Sequence, residues 1–509
     1  MEIEEYFVRL FRTYFGEYRD KKIILYGMSE RTIYIMRAFP EFQFLGVMGG
    51  ESDRGLFRDK PILSIDEAAS SGADILIIVA RDQHIPMIAE RLRYLWEKKQ
   101  MPVYSVTGRN IHDYIGMMKE KILFHREKDT LLDQLKDSNY RGVAHMDLNQ
   151  DEMRMVHLFA ERVFSTSGDS MEKCKISSLH DFSYCFIAPM ITTFIFFIIE
   201  EIKKGAYDKV LFAARDSFLI QKLYHMAIKH YKCPKMPEDI YFQTSRMACI
   251  VAATDNEADF FFQNTLPCAY DQRHMVHYRY QIDDAELDID NKEKYPTTFD
   301  YLIAHKRLIL SSSERLRNNY KKYIKKQGIE CGSKCAFVDL VSSGTCQLML
   351  DRFADITFKG IYLGRYEVDD EPERNGLPIS SLYRKWNIGE KNDWESIYLF
   401  NHYWFIETIM TSCEPSLHYF DSEGNPVLCS ESRSQRDLLA VKEMQEGIIE
   451  FFCDFITMSS NELPKINPLL PDMIYRYSSE DYTDVNCEYF HSQVLFEDLG
   501  LGILNAKGK

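Results

Sequence analysis

Two stretches of this chain place an acid and small polar neighbours where an apolar strand gives way to an apolar helix. The first is Lys209 to Tyr224, KVLFAARDSFLIQKLY. Val210 to Ala213 reads as a buried strand, Arg215 and Asp216 stand at its end, and Phe218, Leu219 and Leu223 return at helical spacing. The second is Cys335 to Leu350, CAFVDLVSSGTCQLML, with a strand at Ala336 to Val338 and Asp339 at its carboxyl end. A turn of Ser342, Ser343, Gly344 and Thr345 then leads into a helix. An arginine in such a corner can hold a phosphate, and an aspartate can hold a hydroxyl, a metal or a proton. The turn of small residues suits a phosphate, because it admits the anion to backbone amides at a helix amino terminus. Each stretch also has a plain structural reading: an Arg/Asp ion pair in the first, a serine N-cap in the second.

Two further segments bring polar groups to element ends. In DIYFQTSRMACIVAA a strand delivers Ser245 and Arg246 into the start of a helix. In WESIYLFNHYWFIETIMTSCEPSLHYF, Glu407 and Glu414 stand seven residues apart, on one face of a helix that persists that far, while Pro415 marks Glu414 as a helix-end or turn residue.

The elements that must position these residues follow an α/β pattern. Residues 1 to 20 read as an amphipathic helix, KKIILYGMSERTIYIMRAF as strand, glycine turn and helix, and FQFLGVMGG as a second strand. PILSIDEA reads as a short strand and helix start, ADILIIVARDQHIPMIAERL as strand then helix, and the unit closes near VYSVTG. Strands and helices alternating at this spacing predict a parallel sheet with right-handed crossovers. Only Gly27 of a dinucleotide fingerprint is present; Ser29 stands where the second glycine would fall. We therefore expect a Rossmann-like parallel-sheet domain at 1–108, a charged helical connector at 109–149, and a larger α/β domain rich in helices at 150–509. The apolar run Phe182 to Ile199 is close to the length of a membrane span. Its Ser183, Tyr184, Pro189 and two threonines make it a buried core helix, so no transmembrane segment is expected.

With 509 residues the chain can build two or three full cores. Its 45% hydrophobic and 27% charged residues describe a folded protein, and a net charge of −15 argues against nucleic acid or an anionic membrane as partner. Twelve scattered cysteines, and acids in MEIEEYFVRLF where a signal peptide has a basic flank, point to a reducing cytoplasmic location. Cys331 and Cys335 lack a second pair, which argues against zinc.

The motifs SYCFIAPMITTF, LFAARDSFLIQKLY, YFQTSRMA, FVDLVSSGTCQLML, KGIYLGRY and IETIMTSCEPSLHYF occur in an order that resembles the C-terminal region of bacterial predicted hydrolases encoded with surface-polysaccharide genes. In that group the region follows a phosphatase domain of the haloacid-dehalogenase type. Some members look like glycan ribofuranosyltransferases that transfer 5-phosphoribose from phosphoribosyl pyrophosphate before the phosphatase removes the 5-phosphate. The resemblance covers roughly residues 150 to 509. No strand-DxDx(T/V) phosphatase motif is present here, and a Rossmann-like domain takes the phosphatase's place, so the resemblance implies a separate phosphatase as partner. It also implies a phosphorylated sugar donor, a glycan acceptor and Mg²⁺. On that basis Ser342, Ser343, Gly344 and Thr345 would hold the 5-phosphate, Asp339 the ribose or the metal, and Arg215 and Arg246 the diphosphate. Asp216 would be general base on the acceptor hydroxyl with Glu407 as substitute, and Ser245 and Glu414 would join the substrate-binding set. Two other functions fit the residues: a sugar-nucleotide-dependent glycosyltransferase, and a non-catalytic scaffold of a polysaccharide assembly complex.

Overall fold

The computed structural model describes residues 3–50, 53–80, 85–112, 148–167, 173–233, 235–265, 271–366, 376–385, 397–459, 462–478 and 483–485. Most of the expected connector therefore lies outside the described residues.

The first sheet follows helix α1 (Ile3–Phe15) and is wholly parallel. Strands β1 (Lys22–Tyr26), β2 (Gln43–Met48), β3 (Ile75–Ile78) and β4 (Val103–Ser105) lie in the order β2-β1-β3-β4, and α2 (Glu30–Ala38) connects the first two. Ile23, Ile24, Leu25 and Ile75 to Ile78 are apolar without alternation because helices cover both faces of such a sheet. The strand expected at PILS is reduced to one parallel bridge, Ile62 to Val47, on the outer edge of β2. A two-residue hairpin pairs Leu56–Phe57 with Lys60–Pro61, and Pro61 has no N–H to give a ladder. With that bridge counted as a strand, the order across the sheet is that of a Rossmann unit.

The second sheet carries the residues of interest. It contains β5 (Lys209–Ala213), β6 (Glu238–Phe242), β7 (Lys334–Ser342), β8 (Thr357–Tyr366) and β9 (Ile379–Lys385), all parallel, in the order β9-β8-β7-β5-β6. Around it pack α3 (Gln150–Ser167), α4 (Ala188–Lys204), α5 (Phe218–His230), α6 (Arg246–Ala253), α7 (Lys306–Lys326), α8 (Thr345–Phe353), α9 (Leu399–Met410), α10 (Gln435–Thr457) and α11 (Leu469–Arg476). Successive strand residues face opposite cores: Val210 and Phe212 join α4, α5 and α10, whereas Leu211 and Ala213 join α6, α7 and α8. The apolar run before β5 forms one helical stretch from Leu179 to Lys204, of which the most apolar window is 94% buried inside the protein. It is the core helix that its polar interruptions predicted.

Between β5 and β7 the direction of chain order reverses, because β6 lies outside β5 on one side and β8 outside β7 on the other. Such a switch point opens a crevice at the carboxyl ends of the strands, since the two connections leave on opposite faces. Register deepens it here. β7 pairs with β5 only as far as Val338↔Phe212 but runs on beside β8 to Ser342↔Arg365. From Asp339 onward, β7 therefore has an open flank on the β5 side.

The helix that faces this crevice is fixed at both ends. The buried carboxylate of Asp472 accepts from the Tyr398 and Leu399 N–H groups, at 2.8 and 2.9 Å, at the start of α9. At its other end the Gln445 amide donates to the Ile409 and Thr411 carbonyls, at 2.7 and 2.9 Å. The first sheet docks nearby on the helix Thr298–Ala304: Arg37 pairs with Asp300 at 2.9 Å, and Glu30 accepts from the Thr298 N–H and hydroxyl at 2.6 and 2.7 Å. Replacing Asp472 by alanine should leave two buried amides without their acceptor, a loss of about 1–3 kcal/mol. Thermal unfolding of Asp472→Ala against the parent should record a drop of a few degrees, and an unchanged midpoint would mean that α9 is held by packing alone.

Candidate active site

Arg215 sits in a left-handed backbone conformation, φ 72°, directly after β5. A side chain there costs roughly 1–2 kcal/mol, which neighbouring contacts must offset. Three do so. The Arg215 N–H donates to the Tyr241 hydroxyl at 2.8 Å, its carbonyl accepts from the Ser412 N–H at 3.1 Å, and its Nη1 donates to Ser416 Oγ at 2.5 Å. Arg433 in turn clamps the 412–416 loop by donating to the Ser412 and Glu414 carbonyls at 2.7 and 3.0 Å. The bend turns the chain off the sheet, and the buried Ser217 hydroxyl ties it back to the Val338 carbonyl at 3.1 Å. Asp216 is thereby set over the open flank of β7.

Asp339 faces it from β7. The sequence places this acid at a strand end, whereas the strand runs three residues further because β8 continues to pair with it. Both carboxyls are partly accessible but poorly hydrated. Desolvation, the nearby Asp216 charge and the opposing effects of its own Leu340 N–H and of Arg246 together push Asp339 up to about 7. Asp216 is raised as well, by desolvation first, with Arg215 and Arg246 pulling the other way.

Glu407 projects from α9 into the same field. Desolvation raises it well above the ordinary carboxylate range; Asp216 and Asp339 add to the rise, and Arg246 and Arg215 oppose it. Arg246, exposed in the first turn of α6, loses some hydration, but Tyr366, Cys346, Glu407 and Asp339 favour its charge and the balance raises it. Two arginines and three carboxyls thus converge from β5, α6, β7 and α9. Among the described residues none of the five forms an ion pair, so the Arg/Asp pair allowed by the sequence is not what holds this corner. Structural charges ordinarily satisfy one another; these remain available to a ligand.

The turn after β7 is held partly by its own side chains. Ser342 Oγ accepts from the Gly344 N–H at 3.0 Å, while Ser343 and Thr345 are buried. Gly344 has φ 90°, a left-handed conformation that favours glycine, while the nearest atoms to a Cβ there are side-chain ends of Leu377 and Ile379 that could shift. No side chain caps α8, so its first amides have no side-chain acceptor, and Asp339 acts on the Cys346 thiol in that first turn. Ser245 is the N-cap of α6, accepting from the Ala248 N–H at 3.1 Å. Glu414 lies off α9, which ends at Met410, and is exposed in the loop that braces Arg215. It stands near Tyr241 rather than on a face shared with Glu407.

Tyr241 is the residue the sequence did not single out: it sits within an ordinary strand, and only the left-handed Arg215 gives its hydroxyl a task. Cys346, whose free thiol is hydrogen-bonded to the free thiol of Cys249, is a second. At the Rossmann-like sheet, Glu30 at the start of α2 is engaged by Thr298, so an acid stands where a dinucleotide's phosphates would approach.

The raised Asp339 has a measurable consequence. The native carboxyl keeps its proton up to about pH 7, whereas an unfolded aspartate loses it near about 3.9. The native state is therefore favoured below the lower value and loses that stabilisation as pH climbs through about 7. Asp339→Asn should gain thermal stability relative to the parent as pH rises from 5 to 8, and a difference that stays flat would show that the carboxyl is hydrated. Among known proteins, no family model and no curated protein matches this sequence.

Proposed function

We propose that this protein is a glycosyltransferase of bacterial surface-polysaccharide biosynthesis that transfers 5-phosphoribosyl from phosphoribosyl pyrophosphate to a glycan acceptor. The observation that carries the reading is the convergence of Arg215, Asp216, Arg246, Asp339 and Glu407, unpaired, at one switch-point crevice. A diphosphate leaving group calls for arginines, and a ribose ring that gains positive charge calls for carboxylates. Arg215 and Arg246 would hold the diphosphate, and the uncapped start of α8 the 5-phosphate.

In this reading the acceptor O–H attacks the anomeric carbon, the bond to the diphosphate oxygen breaks, and the electron pair leaves with the diphosphate. The acceptor's proton passes to Asp216, whose raised pKa makes it a stronger base than a hydrated aspartate. Glu407, whose carboxyl is raised well above the ordinary range by desolvation and by Asp216 and Asp339, serves as a hydrogen-bond donor to the ribose when protonated or as the substitute base when ionised.

Among the described residues no group of three histidines, cysteines or acids is placed to hold a metal ion. Mg²⁺ commonly takes only one or two carboxylates and completes its shell with substrate phosphates and water. Asp339, unpaired and repelled by Asp216, suits that part, and the ion would neutralise charge on the departing diphosphate. The metal should then arrive with the donor. A separate phosphatase would remove the 5-phosphate.

Phosphoribosyl pyrophosphate at ~100 times its dissociation constant should stabilise the protein by about 2.7 kcal/mol, and only when Mg²⁺ is present. Mg²⁺ alone should have little effect, and Arg246→Ala and Asp339→Ala should abolish the shift. A response to uridine or cytidine diphosphate sugars instead would replace the donor, and silence towards both classes would leave a scaffold.

A further inference from the structure

Phe218 is 42% exposed although it opens α5 two residues after Asp216. Single exposed apolar side chains are common, but this one has a particular setting. Its ring lies edge-on to Tyr241, with centroids 6.2 Å apart and planes at 73°. The Tyr241 hydroxyl accepts from the Arg215 N–H and shares a hydrogen bond with Ser412, so this ring cannot swing away. Desolvation raises Tyr241, and the charges of Glu414 and Asp216 add to that rise, which puts both acids near its hydroxyl. Beside the crevice, at the end of β6, there is thus a braced aromatic pair with one exposed ring, near the carboxyl assigned to the acceptor's proton.

We propose that Phe218, steadied by Tyr241, forms the acceptor subsite and stacks on the apolar face of a pyranose ring. The inference rests on the glycosyltransferase reading and names where the acceptor binds. The face of an aromatic ring is electron-rich, and the axial C–H groups of a pyranose are electron-poor because each carbon bears oxygen. Stacking also accounts for a phenylalanine at an exposed helix start, where a polar residue would satisfy solvent better. The sugar's hydroxyls would then point towards the rim, where Glu414 and the Asp216 carboxyl accept hydrogen bonds.

Saturation-transfer NMR with the methyl pyranosides of glucose, galactose, mannose and N-acetylglucosamine tests this on the full chain. Transfer to the protons of one ring face should occur for at least one glycoside, weaken roughly tenfold in affinity in Phe218→Ala, and return in Phe218→Trp. The thermal response to phosphoribosyl pyrophosphate and Mg²⁺, read in the same variants, should not change. Absence of transfer from every glycoside, or equal transfer with Phe218→Ala, would overturn the subsite. Ring-face transfer that depends on Phe218, in a protein indifferent to phosphoribosyl pyrophosphate, would support the subsite while removing the donor.

Discussion

The ionised forms of Asp216, Asp339 and Glu407 disfavour one another in a crevice where little water screens them, which raises all three carboxyls, and much of the surrounding architecture serves to hold them there. Left free, each would rotate into solvent or find an arginine. Instead a left-handed residue bends the chain after β5, an unmatched length of β7 exposes Asp339, and α9 is anchored at both ends so that Glu407 cannot retreat. Arg215 and Arg246 soften the repulsion from a distance without closing it. Proteins tolerate such frustration where binding resolves it. A diphosphate with a divalent cation carries both signs of charge needed.

The two sheets divide the work unequally. The first has the strand order of a nucleotide-binding unit, yet Glu30 at its critical helix is bonded to Thr298 of the second. The segment it grips belongs to the helical excursion between α6 and β7, whose core also takes in Leu10 and Tyr34 from the first unit. That packing gives the first unit a firm seat on the second and leaves the switch-point crevice as the better place for a phosphorylated ligand.

Strand identity was legible in the sequence wherever parallel pairing demanded continuous apolar runs, as at Val210 to Ala213 and Ile75 to Ile78. Arg215 and Asp216 were legible too, because charges directly after such a run have few structural uses. Other features depend on neighbours far along the chain. The length of β7 is set by β8, so Asp339 lies inside a strand and still faces the crevice. The strand at PILS was reduced by a hairpin and a proline. Ser245 is committed to capping α6, and Glu414 left the helix that carries Glu407 as soon as the chain had to return to brace Arg215. Tyr241 gave no sequence signal, since its role exists only through a backbone conformation 26 residues away.

The central claim is that the unpaired charges at the β5/β7 switch point hold the diphosphate of a phosphoribosyl donor. A crystal structure of the protein grown with phosphoribosyl pyrophosphate and Mg²⁺ tests it most directly. The account predicts diphosphate density between Arg215 and Arg246, a cation touching Asp339, and the ribose within reach of Asp216 and Glu407. Donor bound at the first sheet, or a crevice closed by new ion pairs among these five residues, would contradict it.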